Sequence, residues 1–199
     1  MPTFVYEPDG NPRYTLDGGR IISVTEVLTA LRFINPEFYT EAGRVRGEKV
    51  HKATALIEGP GLDWDSLKAI EDAIQQPVVP YVRGWDRFLR ETGWKSTHIE
   101  DPGYDHSFLV AGCPDRRGNF PGDKKHGLEI KTGNPEGWWE YQVGGYSEIF
   151  KLGLAHWTIV RLKGDSDFTL EPIKDLNAGS KFLSMATVYE CGRKHGIYD

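Results

Sequence analysis

Cysteine, methionine and excess positive charge are all scarce in this chain. Two cysteines among 199 residues, Cys113 and Cys191, are too few for the disulfide framework of a small secreted domain. No Cys-x-x-Cys spacing offers ligands for zinc or an iron–sulfur cluster, and a reducing cytoplasmic setting is expected. No stretch approaches the roughly 20 apolar residues that span a bilayer. The opening residues, Met1 to Gly10, lack the basic flank and apolar run of a signal peptide, so a soluble, untargeted protein with no membrane partner is expected. The formal net charge of −5 excludes a protein that coats nucleic acid through its overall charge. It leaves room for a nuclease, which needs only a local basic groove and gathers carboxylates for a divalent cation.

What is present suits an ordinary globular fold. With 39% hydrophobic and 27% charged residues, a chain of this length buries about 70% of its unfolded surface, enough for helices around a sheet without metals or disulfides. No internal repeat, low-complexity tract or long linker divides it, so one domain over residues 1–199 is expected.

Two extended runs, 13–16 and 20–23, flank Asp17-Gly18-Gly19, residues that tolerate the positive φ of a hairpin turn. Ser23-Val24-Thr25-Glu26 has the order of a capping box and predicts a helix start, with Val27, Leu28 and Leu31 on its apolar side. Apolar spacing predicts further helices over 41–58, from Trp64 to before Pro77, and after Pro80 through Leu89. Beyond Gly93 the texture becomes short runs at 96–100, 107–113 and 127–131, read as adjacent strands, with a turn at Asn119 to Asp123. A helix over 138–152, strands at 156–162 and 168–171, and a helix over 178–192 complete an α/β chain.

The chemistry concentrates in three places: Pro114-Asp115, Glu129-Ile130-Lys131 and Gln142 to Tyr146. Alternation along a strand turns Glu129 and Lys131 to one face and Leu128 and Ile130 to the other. Pro114 cannot donate to a ladder, so its strand should end or bulge there and expose Asp115. A hairpin through 118–126 then sets Asp115 beside Glu129. Two such carboxylates repel unless a cation lies between them, and their hard oxygens suit magnesium or manganese. A lysine beside that cation can assist phosphodiester hydrolysis. Gln142 and Tyr146, four residues apart on one helix face, can orient substrate or the lysine. A second acidic-x-Lys triplet, Asp123-Lys124-Lys125, has no apolar neighbours and reads as a plain turn.

This constellation resembles the PD-(D/E)XK nuclease superfamily, in its RecB-type and phage lambda-exonuclease-like branch. Pro114-Asp115 and Glu129-Ile130-Lys131 match the name-giving motif, and Gln142 with Tyr146 matches the QxxxY element. Gly47 and His51 match a GxxxH helix motif, and Ile22 to Val27 is similar to the opening of phage-encoded members. The resemblance runs over residues 20–160.

It implies a restriction-endonuclease-like core, a central mixed sheet flanked by helices. Asp115 and Glu129 become metal ligands, with His51, Glu100 and Ile130 joining the shell, and Lys131 becomes the catalytic base or electrostatic stabiliser. Gln142 and Tyr146 support the site, and Mg²⁺, replaceable by Mn²⁺, is the cofactor, without an iron–sulfur cluster. The implied activity is a DNA exonuclease acting on free ends in phage-type recombination, repair or replication, with a strand-annealing protein as partner and ring-like homo-oligomers among relatives. An endonuclease of the same superfamily and a silent DNA-binding scaffold are the alternatives. Cys113 and the Gly144-Gly145 pair depart from the pattern, the latter reading as a loosening of the helix.

Among other residues, Arg44, Arg46, Lys49 and Lys52 cluster around His51 and are the expected DNA contacts. Arg83, Arg87 and Arg90 read as a solvated face. Of Trp138 and Trp139, one ring is expected in the core and the other free to stack on an unpaired base.

Overall fold

The structure, a computed structural model, describes residues 2–8, 13–38, 40–122 and 125–198. Asp123 and Lys124, expected in a turn, lie outside the described residues, as do Met1, Asp9 and Gly10. Asp17 and Gly18 both take positive φ, 52° and 79°, the conformation a two-residue hairpin loop requires. They join β2 (Arg13–Leu16) to β3 (Gly19–Ser23), and β1 (Phe4–Glu7), absent from the sequence reading, pairs along β2. Ser23 then caps α1 (Val24–Ala30), its hydroxyl accepting from the Glu26 N–H at 3.1 Å. The Glu26 carboxylate does not close the box; it accepts from the Tyr189 hydroxyl at 2.8 Å and faces Arg20.

Three helices follow, α2 (Glu41–Glu58), α3 (Trp64–Ile74) and α4 (Val79–Thr92). The strand-rich region holds β4 (Lys95–Ile99), β5 (Gly103–Asp105), β6 (Val110–Gly112), β7 (Arg116–Asn119) and β8 (His126–Lys131). Then come α5 (Trp138–Phe150), β9 (Trp157–Leu162), β10 (Phe168–Glu171) and α6 (Ala178–Lys194).

Among the described residues the strands form two sheets, ordered β1-β2-β3-β6-β5 and β10-β9-β8-β7-β4. Each is mixed, with β3 parallel to β6 in the first and β8 parallel to β9 in the second. The α/β class and mixed pairing agree with expectation; the division into two sheets does not. Nor are the three runs after Gly93 neighbours, because β6 lies in the first sheet and β7 separates β4 from β8 in the second. The physical reason is Pro114, which cannot continue a ladder. The chain leaves one sheet after Gly112 and enters the other at Arg116.

The second sheet is the middle layer. Leu128 and Ile130 of β8 and Val160 and Leu162 of β9 pack with Val50 and Ala53 of α2 and Val82, Trp85 and Phe88 of α4. On the other face Trp157 and Ile159 meet Trp139, Val143 and Tyr146 of α5, with Phe182 and Tyr189 of α6 and Val27 and Leu28 of α1. Each such large side chain, fully buried, contributes about 1.5–3 kcal/mol. α5 forms the crossover between parallel β8 and β9, which sets it over the face bearing Glu129 and Lys131.

Gly144 and Gly145 do not loosen α5. A Cβ on Gly144 would come within 2.6 Å of the Ala178 backbone, and one on Gly145 within 2.9 Å of Val24. The pair lets α6 and α1 approach α5 closely. No helix among the described residues is long and apolar enough to cross a membrane.

Candidate active site

β7 pairs antiparallel with β8 so that Arg116 lies opposite Leu128, which brings Asp115, one residue before β7, level with Glu129. The Asp115 carboxylate is fixed from two sides. Its Oδ2 accepts from the Ile130 N–H at 2.6 Å, and its Oδ1 meets His51 Nδ1 of α2 at 2.9 Å. Burial raises the Asp115 pKa, but the His51 charge, its hydrogen bond and Lys131 outweigh it and hold the carboxyl below its ordinary value. Burial likewise lowers that of His51, and the Asp115 carboxylate more than offsets it, so the imidazole sits above its ordinary value. An ionised Asp115 can only accept, so the Nδ1 proton belongs to His51.

Glu129 is 4% exposed. Burial and then the neighbouring Asp115 charge push its carboxyl up, against the pull of Lys131. Its Oε1 accepts from Lys131 Nζ at 2.8 Å, while its Oε2 is buried without a hydrogen-bond partner among the described residues. Lys131 Nζ also donates to Gln142 Oε1 at 2.6 Å and lies 4.9 Å from the centre of the Trp138 ring. The Gln142 amide donates in turn to the Tyr146 hydroxyl at 3.2 Å, and burial raises the Tyr146 phenol well above its ordinary value.

Asp115, Glu129, Gln142 and Tyr146 line a cavity of about 590 Å³, together with Glu100, Tyr6, Tyr14, Arg20, Ser23 and Glu26. Glu100, at φ 47° just after β4, donates its backbone N–H to the Asp115 carbonyl.

The expected site residues thus divide. Glu129, Lys131, Gln142 and Tyr146 form one hydrogen-bonded chain, and His51 pairs with Asp115 beside it, with Ile130 holding Asp115 through its N–H. Glu100 lines the same cavity. The four-residue ligand shell of His51, Glu100, Asp115 and Glu129 is not assembled: among the described residues no three His, Cys, Asp or Glu side chains are grouped to hold an ion. The donor set nevertheless fits a hard divalent cation, which takes one or two carboxylates and keeps the remaining positions for water and phosphate. The unpartnered Glu129 Oε2 is the atom such an ion would satisfy.

The expected DNA contacts sit on α2 in surface pairs. Arg44 reaches Glu41 at 2.7 Å and Glu48 at 3.7 Å, Lys52 reaches Glu48 at 2.9 Å, and Lys49 lies 4.0 Å from Glu48. Arg46 instead stacks over Tyr81. Arg87 and Arg90 are paired with Glu91 and Asp86, a solvated face as expected. Trp139 is the core ring, and Trp138 covers Lys131.

Sequence reasoning missed Arg116, Thr54 and Glu58 behind Asp115, and the wall formed by Tyr6 and Tyr14. The available signal was Arg116 itself, a charge in a strand register that otherwise faces the core. No family model matches the chain, and no curated protein matches it.

Proposed function

We propose that this protein is a divalent-cation-dependent deoxyribonuclease of PD-(D/E)XK type, with a restriction-endonuclease-like core built on the second sheet. The observation that carries the reading is that Asp115 and Glu129 line one cavity, with Lys131 bonded to Glu129 and the other carboxylate oxygen of Glu129 unpartnered among the described residues. Asp115 and Glu129 would hold Mg²⁺ or Mn²⁺, which supplies charge to polarise phosphate and acidify water.

The chain's own groups do the rest. Lys131 has three N–H donors and spends two on Glu129 and Gln142, which leaves one for an oxygen of the scissile phosphate, where negative charge builds. Gln142 and Trp138 fix the direction of that donor. His51, donating from Nδ1, holds Asp115 ionised and in place. The exposed pairs on α2 are worth little in water, so Arg44, Lys49 and Lys52 can exchange Glu41 and Glu48 for phosphates at small cost, and Arg46 lies beside them.

Asp115 and Glu129 line a half-open cavity of about 590 Å³, which suits a strand terminus better than a continuous duplex, hence an exonuclease. Labelled linear and closed-circular duplexes incubated with Mg²⁺ test this. Release from the linear DNA alone is expected; cleavage of the circle points to an endonuclease, and no cleavage of either with Mg²⁺ or Mn²⁺ rejects the enzyme.

A further inference from the structure

We infer that the Arg116 guanidinium, acting with the Thr54 hydroxyl, is a positioning device that sets His51 against Asp115 and thereby the cation affinity of the site. The inference rests on the cation-dependent reading above. Arg116 is 0% exposed and its guanidinium lies 5.5 Å from the centre of the Trp85 ring. Its Nε donates to Glu58 Oε1 at 2.6 Å, its Nη1 to the Asp115 main-chain carbonyl at 2.7 Å, and its Nη2 to Thr54 Oγ1 at 3.0 Å. The Thr54 hydroxyl in turn donates to the main-chain carbonyl of His51 at 2.8 Å.

One rigid planar group therefore grips the carbonyls of both residues whose side chains meet at 2.9 Å, that of Asp115 directly and that of His51 through one hydroxyl. The other oxygen of Glu58 accepts from Ser96, whose hydroxyl also takes the Trp94 indole N–H. Two polar arms reach out of the cluster, Arg116 Nη1 to the Asp115 carbonyl and the Thr54 hydroxyl to that of His51, and the others hold the cluster itself together.

A buried Arg–Glu pair is a poor stabiliser, because desolvation consumes most of what the charges gain. Its position directly behind Asp115 and beneath His51 gives it a different purpose. The guanidinium touches neither carboxylate of the site, so it acts on where Asp115 stands and not on its charge. Groups that orient ligands from behind in this way change metal affinity by roughly 10–100-fold when removed.

Mn²⁺ titrated calorimetrically into the full-length protein tests the inference. Thr54→Val keeps the side-chain volume and the Arg116–Glu58 pair but removes the relay to His51; Thr54→Ser keeps the relay. The expected result is Mn²⁺ binding weakened roughly tenfold in Thr54→Val, parent-like binding in Thr54→Ser, and no further effect of Thr54→Val when His51→Ala is already present. Arg116→Lys, which retains the charge opposite Glu58 but loses the fork, is the second variant, and the same dependence on His51 is expected of it. Unchanged affinity in folded Thr54→Val and Arg116→Lys, or equal losses with and without His51, overturns the positioning role. A parent protein that binds no Mn²⁺ overturns the cation-dependent reading itself, and the inference falls with it.

Discussion

At the scale of single residues, the carboxyl of Glu129 is buried beside a second carboxylate. Burial and the Asp115 charge raise its pKa above its ordinary value of 4.5. A carboxyl raised by folding stabilises the fold fully below its unfolded pKa and loses that contribution as pH rises through the folded value. The cation-free protein should therefore lose thermal stability as pH is raised from about 5 to 8, and Glu129→Gln, which carries no charge to desolvate, should lose less. Thermal melts of both proteins in chelator across that range check this; parallel pH profiles would show that Glu129 is not strained. The same substitution removes a proposed cation ligand, so its gain in cation-free stability should come with weakened Mn²⁺ binding.

At the scale of elements, α5 connects β8 to β9, packs against strands of both sheets and carries Gln142, which meets Lys131 of β8. Its close approach to α6 depends on Gly144, where an added methyl would press on the Ala178 backbone. Gly144→Ala is expected to destabilise by about 1–3 kcal/mol, read as a lower midpoint in urea unfolding; an unchanged midpoint would mean that α6 can withdraw freely. Local chemistry made much of this architecture legible in the sequence. Ser23 announced α1, Asp17-Gly18 announced the hairpin, and the alternation of Leu128, Glu129, Ile130 and Lys131 separated core from site. What stayed hidden was long-range. Nothing local in Gly103 to Asp105 or Phe4 to Glu7 says that they are edge strands of a separate sheet, and helix propensity cannot show that Gly144 is dictated by a neighbour 34 residues on. The buried Arg116 network was invisible for the same reason: its partners, Thr54 and Glu58, come from a helix about 60 residues earlier.

At the scale of the whole molecule, residues of both sheets and of α1, α5 and α6 line one cavity, where the Asp115 charge works against that of Glu129. A ligand that binds only the folded state stabilises it by about 2.7 kcal/mol at 100 times its dissociation constant. Mg²⁺ or Mn²⁺ should accordingly raise the melting temperature of the parent protein, and not that of an Asp115→Asn, Glu129→Gln double variant; an equal rise in both would place the cation elsewhere. The most direct measurement of the account is the release of labelled nucleotides from linear duplex DNA by the parent and by Lys131→Ala, each with Mg²⁺ and with chelator. Release by the parent that needs Mg²⁺ and falls at least roughly 100-fold in folded Lys131→Ala is the expected result. Equal release by the two proteins, or release that persists in chelator, would contradict it.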